Sequence, residues 1–321
     1  MSTRDDDSGN DLWRPFLDRA GAIVLDGGLA TELERRGADL RDPLWSAKLL
    51  LEEPALIRQV HEDYFRAGAD VGTSASYQAS FDGFAERGLD AKHAADLMRL
   101  SVRLVQDARA RFWDDPDHRQ RRCRPLVAAS LGCYGAALHD GSEYRGNYGL
   151  SVRELMDWHR PRLEVLTTSG ADLLACETIP SLTEGEALVR LLEEFPNIPA
   201  WISFSCRDAH HVCEGQSFQE AIELAESAAN VVAAGMNCTP PQLIEGLLAS
   251  VQGTTSLPLV AYPNSGERWN PAQQRWEDGA APLDWGQAAL RWNAVGAKLV
   301  GGCCRTTPDT IREIAASLRM E

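Results

Sequence analysis

The stretch that decides the fold is residues 54–74, Pro-Ala-Leu-Ile-Arg-Gln-Val-His-Glu-Asp-Tyr-Phe-Arg-Ala-Gly-Ala-Asp-Val-Gly-Thr-Ser. Ile57, Val60, Tyr64 and Phe65 recur at helical spacing, and Pro54 suits a first turn. Gly68 then supplies a left-handed cap, and a short apolar strand, Asp70–Ser74, follows. The same punctuation recurs at Gly170-Ala171-Asp172 and Gly296-Ala297-Lys298. Each is a helix returning into a strand.

Working outward from this unit, eight short apolar segments read as strands: Ile23–Asp26, Asp70–Ser74, Leu126–Leu131, Asp172–Cys176, Ala200–Phe204, Val231–Met236, Leu257–Ala261 and Lys298–Gly301. Most lack polar alternation, as strands buried on both faces do. Helical stretches lie between them, at 54–67, 91–113, 240–252 and from Thr307 to about Arg319. Repeated βα units joined by right-handed crossovers predict a single (β/α)8 TIM barrel, with a doubly wound open sheet as the alternative. No Pro/Gly/Ser linker divides the chain. Residues 1–11, polar and acidic, read as a mobile tail, and residues 12–321 as the barrel domain.

The 321 residues are 44% hydrophobic, enough for a substantial core, and carry a net charge of −15. The basic residues form no cluster, which disfavours nucleic acid. No apolar run reaches membrane-spanning length, and the N-terminus lacks signal-peptide character, so the expectation is a cytoplasmic protein acting on small molecules. Eight cysteines in such a chain suggest metal binding or catalysis more than disulfides.

In barrel enzymes chemistry sits just after the strands. Cys238 follows the sixth strand segment, and Cys303-Cys304 follow the eighth after Gly301-Gly302. Adjacent strand residues face opposite ways, so both cysteines reach one ion only where the backbone leaves strand geometry. Three thiolates suit one Zn²⁺ with an open fourth position, the pattern of a catalytic site. A substrate thiol, with an ordinary pKa of about 8.5, would be activated there. The competing readings are buried apolar cysteines, which we apply to Cys123, Cys133, Cys176 and Cys206, and a vicinal disulfide. Cys206, His210, His211 and Cys213 have ligand chemistry but irregular spacing, and read as a solvated loop. Asp26 and Glu177 also lie at strand ends; each could meet a substrate ammonium, or instead cap a helix or form an ion pair. Gly27 and Gly28 allow close backbone approach or simply make the turn. Trp45, Tyr77, Tyr134, Tyr144 and Tyr148 are aromatic faces near these loops that could receive a cationic donor.

The segments LDGGLATELERRG, DPLWSAKLL, GADVGTSASYQAS, GSEYRGNYG, CETIP, GMNCTPPQ and GGCCRTTPDTI, in this order from Gly21 to Ser317, resemble the homocysteine S-methyltransferases. The resemblance implies a (β/α)8 barrel with one zinc on Cys238, Cys303 and Cys304. It further implies Asp26 and Glu177 at the homocysteine amino group, and backbone at Gly27 and Gly28 near its carboxylate. DPLWSAKLL, SASYQASFDGF and DGSEYRGNY are most similar to the short enzymes that use S-methylmethionine, often S-adenosylmethionine as well; Trp45 and Tyr77 are the donor contacts this suggests. Selenol methyltransferases are close relatives of these. Cys133 stands where relatives usually carry proline, and the His210–Gln216 loop is atypical. Outside this family, a metal-free barrel enzyme and a non-catalytic zinc-binding or thiol-sensing protein are the alternatives.

Overall fold

The computed structural model describes residues 8–40, 48–120, 122–270, 275–277 and 282–319. Eight parallel strands form the barrel: β1 (Ile23–Val24), β2 (Val71–Thr73), β3 (Leu126–Gly132), β4 (Leu173–Ile179), β5 (Ala200–Phe204), β6 (Val231–Asn237), β7 (Leu259–Tyr262) and β8 (Ala297–Val300). β2 to β7 pair in sequence order, β8 lies between β7 and β1, and a parallel bridge from Leu25 to Val71 closes the ring. The (β/α)8 expectation holds, and the open sheet is excluded. A two-stranded antiparallel pair, Arg268–Asn270 with Arg275–Glu277, lies outside the barrel sheet.

The recurring Gly-Ala-Asp motif has a clear physical basis. Gly68, Gly170 and Gly296 all take positive φ (124°, 82° and 118°). The aspartate then locks onto the neighbouring strand twice. Asp70 N–H donates to Val24 O at 2.6 Å, and its carboxylate accepts Val24 N–H at 3.0 Å. Asp172 does the same to Val127, at 2.9 and 2.7 Å. These two Gly-Ala-Asp turns therefore set strand register as they turn the chain, while the third return, Gly296-Ala297-Lys298, has no aspartate.

The barrel interior packs Ile23, Leu25, Val71, Ala128, Leu173, Ala175, Trp201, Ala233, Val260 and Leu299. A separate, larger apolar layer lies between the strands and the outer helices. The first helix begins at Ser8, inside the stretch read as a tail, and runs to Ala20. Its Trp13 and Phe16 join the interior cluster, and Trp13 Nε1 donates to Val232 O at 3.0 Å. Residues 1–7 lie outside the described residues.

Only β5 keeps its expected bounds; the larger shifts are at β1, which ends at Val24 rather than Asp26, and at β7 and β4. β7 starts at Leu259 rather than Leu257, because Pro258 has no N–H to give the ladder. β4 runs on to Ile179, with a register shift between Cys176 and Ile179. Glu177 thus lies within an irregular strand end, not after it. Among the described residues no helix is long and apolar enough to cross a membrane.

Candidate active site

The C-terminal ends of the strands surround a cavity of about 130 Å³. Asp26, Gly27, Gly28, Tyr77, Glu143, Tyr144, Glu177, Cys238, Cys303 and Cys304 are among its lining residues, and among the described residues no Lys, Arg or His lines it. The sequence candidates from six strand ends and loops are therefore brought to one place. Trp45 lies outside the described residues.

The sulfurs of Cys238, Cys303 and Cys304 all lie within 4.8 Å of one another, and those of Cys238 and Cys304 are 3.5 Å apart. Ligands about 2.3 Å from a tetrahedral zinc have edges near 3.8 Å, so the spacing fits a metal. Among the described residues this is the one such group of ligand atoms. All eight cysteines are free, so the vicinal disulfide is not formed. Hydrogen bonds from Cys303 and Cys304 hold the Cys238 thiol well below the ordinary range, and Cys303 is pushed up by the same contact with Cys238. One negative charge thus suppresses the next, and only a cation would let all three ionise together.

Backbone geometry, not strand alternation, gathers the two adjacent cysteines. β8 ends at Val300, and the chain then leaves the sheet. Cys303 N–H donates to Pro263 O at 2.8 Å, and Ser265 N–H to Cys304 O at 3.1 Å. The glycines before them are needed for room: a Cβ on Gly301 would lie 2.6 Å from that of Leu25, and one on Gly302 would lie 2.3 Å from Thr306 Oγ1. Cys238 sits at φ 47°, a left-handed position rare for a side-chain-bearing residue.

Asn237 links the sulfur group to β4. Its Oδ1 accepts Thr178 N–H at 2.7 Å and Ser203 Oγ–H at 2.9 Å. Its Nδ2 donates to Thr178 Oγ1 at 2.7 Å and lies 3.9 Å from Cys303 Sγ. Thr178 is held at φ 63°, which produces the irregular end of β4 and turns Glu177 to the cavity. Sequence reading quoted Asn237 but gave it no role; only its place beside Cys238 was a signal.

Both predicted acids are buried. Asp26 does not cap the following helix, whose N-cap is Gly28. Instead its oxygens accept Thr73 N–H at 2.7 Å and Thr73 Oγ–H at 3.0 Å. Glu177 accepts Ser130 Oγ–H on one oxygen and Tyr262 OH, at 3.1 Å, on the other. Its partners are hydroxyls, so the ion-pair reading does not hold. Burial pushes both carboxyls up to about 7. A third acid, Glu143, was missed: burial also raises it to about 7. Its neighbour Tyr144 places its OH 3.0 Å from Cys238 Sγ.

Gly27 and Gly28 are packed, not merely flexible. A Cβ on Gly28 would lie 2.7 Å from Cys303 O, and its N–H donates to Thr306 Oγ1 at 3.1 Å. Tyr77 lies against Gly132, where a Cβ would meet its ring at 2.6 Å. Buried Arg162 donates to Tyr77 O at 3.0 Å and Gly132 O at 2.8 Å, fixing this arrangement. Tyr134 and Tyr148 pack on each other instead of facing the cavity, with ring centroids 5.2 Å apart. The loop 206–217 is a small folded unit. Cys206 bridges to Val212, and His211 hydrogen-bonds to Asp208 at 2.8 Å.

The homocysteine S-methyltransferase family model matches residues 23–318. The chain is 51% identical to homocysteine S-methyltransferase YbgG of Bacillus subtilis, over 95% of this chain and 96% of that protein. It is 49% identical to a selenocysteine Se-methyltransferase of Brassica oleracea, over 92% and 88%. The crystal structure of the metallated homocysteine methyltransferase MmuM from Escherichia coli superposes with a TM-score of 0.85 at 45% identity, covering 95% of this chain and 99% of that one. With these likenesses spanning a barrel whose strand ends carry a thiol triad and buried acids, the chain belongs to the homocysteine S-methyltransferase family and is a methyltransferase.

Proposed function

We propose that this enzyme transfers a methyl group from a sulfonium donor, S-methylmethionine and also S-adenosylmethionine, to the thiol of L-homocysteine, forming methionine. Cys238, Cys303 and Cys304 would hold one zinc ion. The observation that carries the reading is three clustered thiols opening into a cavity lined with acids and, among the described residues, no Lys, Arg or His. Bound zinc would supply the Lewis acidity that makes a substrate thiol a nucleophilic thiolate near neutral pH.

The chain's own residues supply the rest. Asp26 and Glu177 are buried, pre-oriented by hydrogen bonds and raised to about 7, so an arriving ammonium restores their charged form. We assign the substrate carboxylate to the backbone at Gly27 and Gly28, where it would share the Gly28 N–H with Thr306. Tyr77 and Tyr144 offer aromatic faces to a cationic donor. Methyl transfer breaks the sulfonium C–S bond, releases a neutral sulfide and forms the methionine C–S bond. The thiol proton goes to solvent, and no general base is needed. Holding the two sulfurs in line across the methyl carbon is the main task left to the protein.

A donor panel tests this: S-methylmethionine, S-adenosylmethionine and betaine, each with homocysteine and zinc-loaded reduced protein, scored by methionine formed. Both sulfonium compounds should work and betaine should not. Absence of methionine from either sulfonium would defeat the proposal. The 49% identity to a selenocysteine methyltransferase favours a selenol as a second acceptor, so selenocysteine belongs in the same panel.

A further inference from the structure

We propose that Glu143 is the counter-charge for the positive sulfur of the methyl donor, and so selects a cationic donor over a neutral one. This rests on the sulfonium reading above.

Glu143 lies in the turn Ser142–Tyr144, which the fold fixes firmly. Its carbonyl accepts Ser205 Oγ–H at 2.8 Å. Gly135 packs beneath, where a Cβ would lie 2.6 Å from Glu143 N. The next residue touches the thiol triad through the Tyr144 hydroxyl. Glu143 is therefore held beside the sulfurs, where the methyl must pass. Its charge acts on Cys238 and on Cys304.

The side chain is only 9% exposed and lines the cavity, yet its Oε2 has no hydrogen-bond partner. Asp26 and Glu177 differ: both oxygens of each accept hydrogen bonds from the protein. A buried carboxylate oxygen without a donor is costly, and such groups in native proteins call for a ligand. A sulfonium has no N–H or O–H. It cannot complete a hydrogen-bond set, and what it requires is uncommitted negative charge at contact distance. Among the described residues, Glu143 is the buried cavity acid that offers this; Glu34, which also lines the cavity, is exposed to solvent.

The reaction pairs a cation with an anion and leaves two neutral sulfides, so positive charge fades toward the transition state. A carboxylate beside the sulfonium therefore favours the bound donor more than the transition state. Its loss should raise the donor KM and leave kcat unharmed.

The test is Glu143→Gln in the zinc-loaded enzyme, with S-methylmethionine varied at saturating homocysteine. Methionine, which lacks only the extra methyl and its charge, serves as a neutral competitor. The donor KM should rise about tenfold and kcat should hold or rise, with homocysteine KM, zinc content and methionine inhibition unchanged. Glu143→Asp, which keeps the charge, should fall between, and stands in if the glutamine variant does not fold. An unchanged donor KM in both variants overturns the assignment. Loss of zinc, a rise confined to homocysteine KM, or an equal weakening of methionine inhibition does so too. If the wild type makes no methionine from S-methylmethionine, the sulfonium reading itself fails. If the wild type is active and the variants match it, only the role of Glu143 falls.

Discussion

Asn237 offers the sharpest test of how the site is held. In Asn237→Ala three buried hydrogen bonds vanish. Two of the partners can compensate. Ser203 Oγ still has Tyr262 OH at 2.6 Å, and the Thr178 hydroxyl can reorient. Thr178 N–H cannot, because its position at φ 63° aims it at the vanished Oδ1. An orphaned buried donor costs about 1–3 kcal/mol. The small void left by the side chain adds about 1 kcal/mol. A loss of roughly 2–4 kcal/mol is therefore expected, read as a fall in the urea midpoint without a change in slope. Thr178 should then relax from its left-handed conformation and carry Glu177 with it, so the homocysteine KM should rise as well. Asn237→Asp separates the two functions of the residue. It keeps both bonds to Oδ1 and the volume, but puts a negative charge where Nδ2 faces Cys303 Sγ at 3.9 Å. That variant should keep the homocysteine KM near wild type and lose zinc affinity, with a stability cost from the buried charge. Were Asn237→Ala to lose less than about 1 kcal/mol with homocysteine KM unchanged, the linkage described here would be wrong.

Cys238→Ser and Cys303→Ser should each lower zinc content and abolish methyl transfer; full metal and activity in either would remove the triad from the mechanism. Glu177→Gln should raise homocysteine KM at least tenfold while zinc stays bound, because the ammonium loses a buried counter-charge; an unchanged KM would exclude Glu177 from the site. The same variant makes a pH prediction. The folded carboxyls of Asp26, Glu143 and Glu177 are raised to about 7, so the folded state holds protons that the unfolded chain has released. Their contribution to stability is complete below the unfolded pKa near 4 and is lost as pH rises through about 7. The Tm of ligand-free protein should thus fall between about pH 4 and 7, and Glu177→Gln should flatten that fall; a Tm curve unaltered by the variant would refute it. Gly28→Ala should cost about 1–3 kcal/mol and lower zinc affinity, since the new methyl meets Cys303 O at 2.7 Å; unaltered stability and metal content would show that this contact relaxes freely.

The barrel was legible because its strands are buried on both faces and its helix-to-strand returns repeat a Gly-Ala-Asp signal. That signal has a physical origin in the double grip of Asp70 on Val24 and Asp172 on Val127. Cys238, Cys303 and Cys304 were legible because their residue types are rare and fall at strand ends. What was hidden depends on contacts between distant segments. Glu143 lies well beyond the end of β3, and only the fold brings its loop over Cys238 from β6; Tyr144 was named as an aromatic face but not as a partner of Cys238. Nothing in periodicity marks such a loop. Trp13 and Phe16 follow an acidic run, and the helix Ser8–Ala20 that carries them was not read from the sequence, its start being taken for tail. The glycine pair before Cys303 was read for flexibility, whereas Leu25 and Thr306 leave no space for a Cβ there.

The two left-handed residues at the site, Thr178 and Cys238, explain why its ends are irregular. Glycine would adopt φ 63° or 47° at little cost, while a side-chain-bearing residue there costs on the order of 1 kcal/mol or more. Each retains a side chain that the site uses: Thr178 Oγ1 accepts from Asn237, and Cys238 Sγ joins the triad. Regular strands would send Glu177 and Cys238 to faces dictated by alternation alone. The strained turns free both residues from that constraint and aim them into one cavity. Asn237 joins them, binding Thr178 through both ends of its amide while standing directly before Cys238. The position of the acid on β4 and the position of the sulfurs are therefore mechanically linked. On the proposed reading, an acceptor held by its ammonium at Glu177 would be placed, at its other end, within reach of the triad, a fixed span that would favour a short amino-acid thiol such as homocysteine.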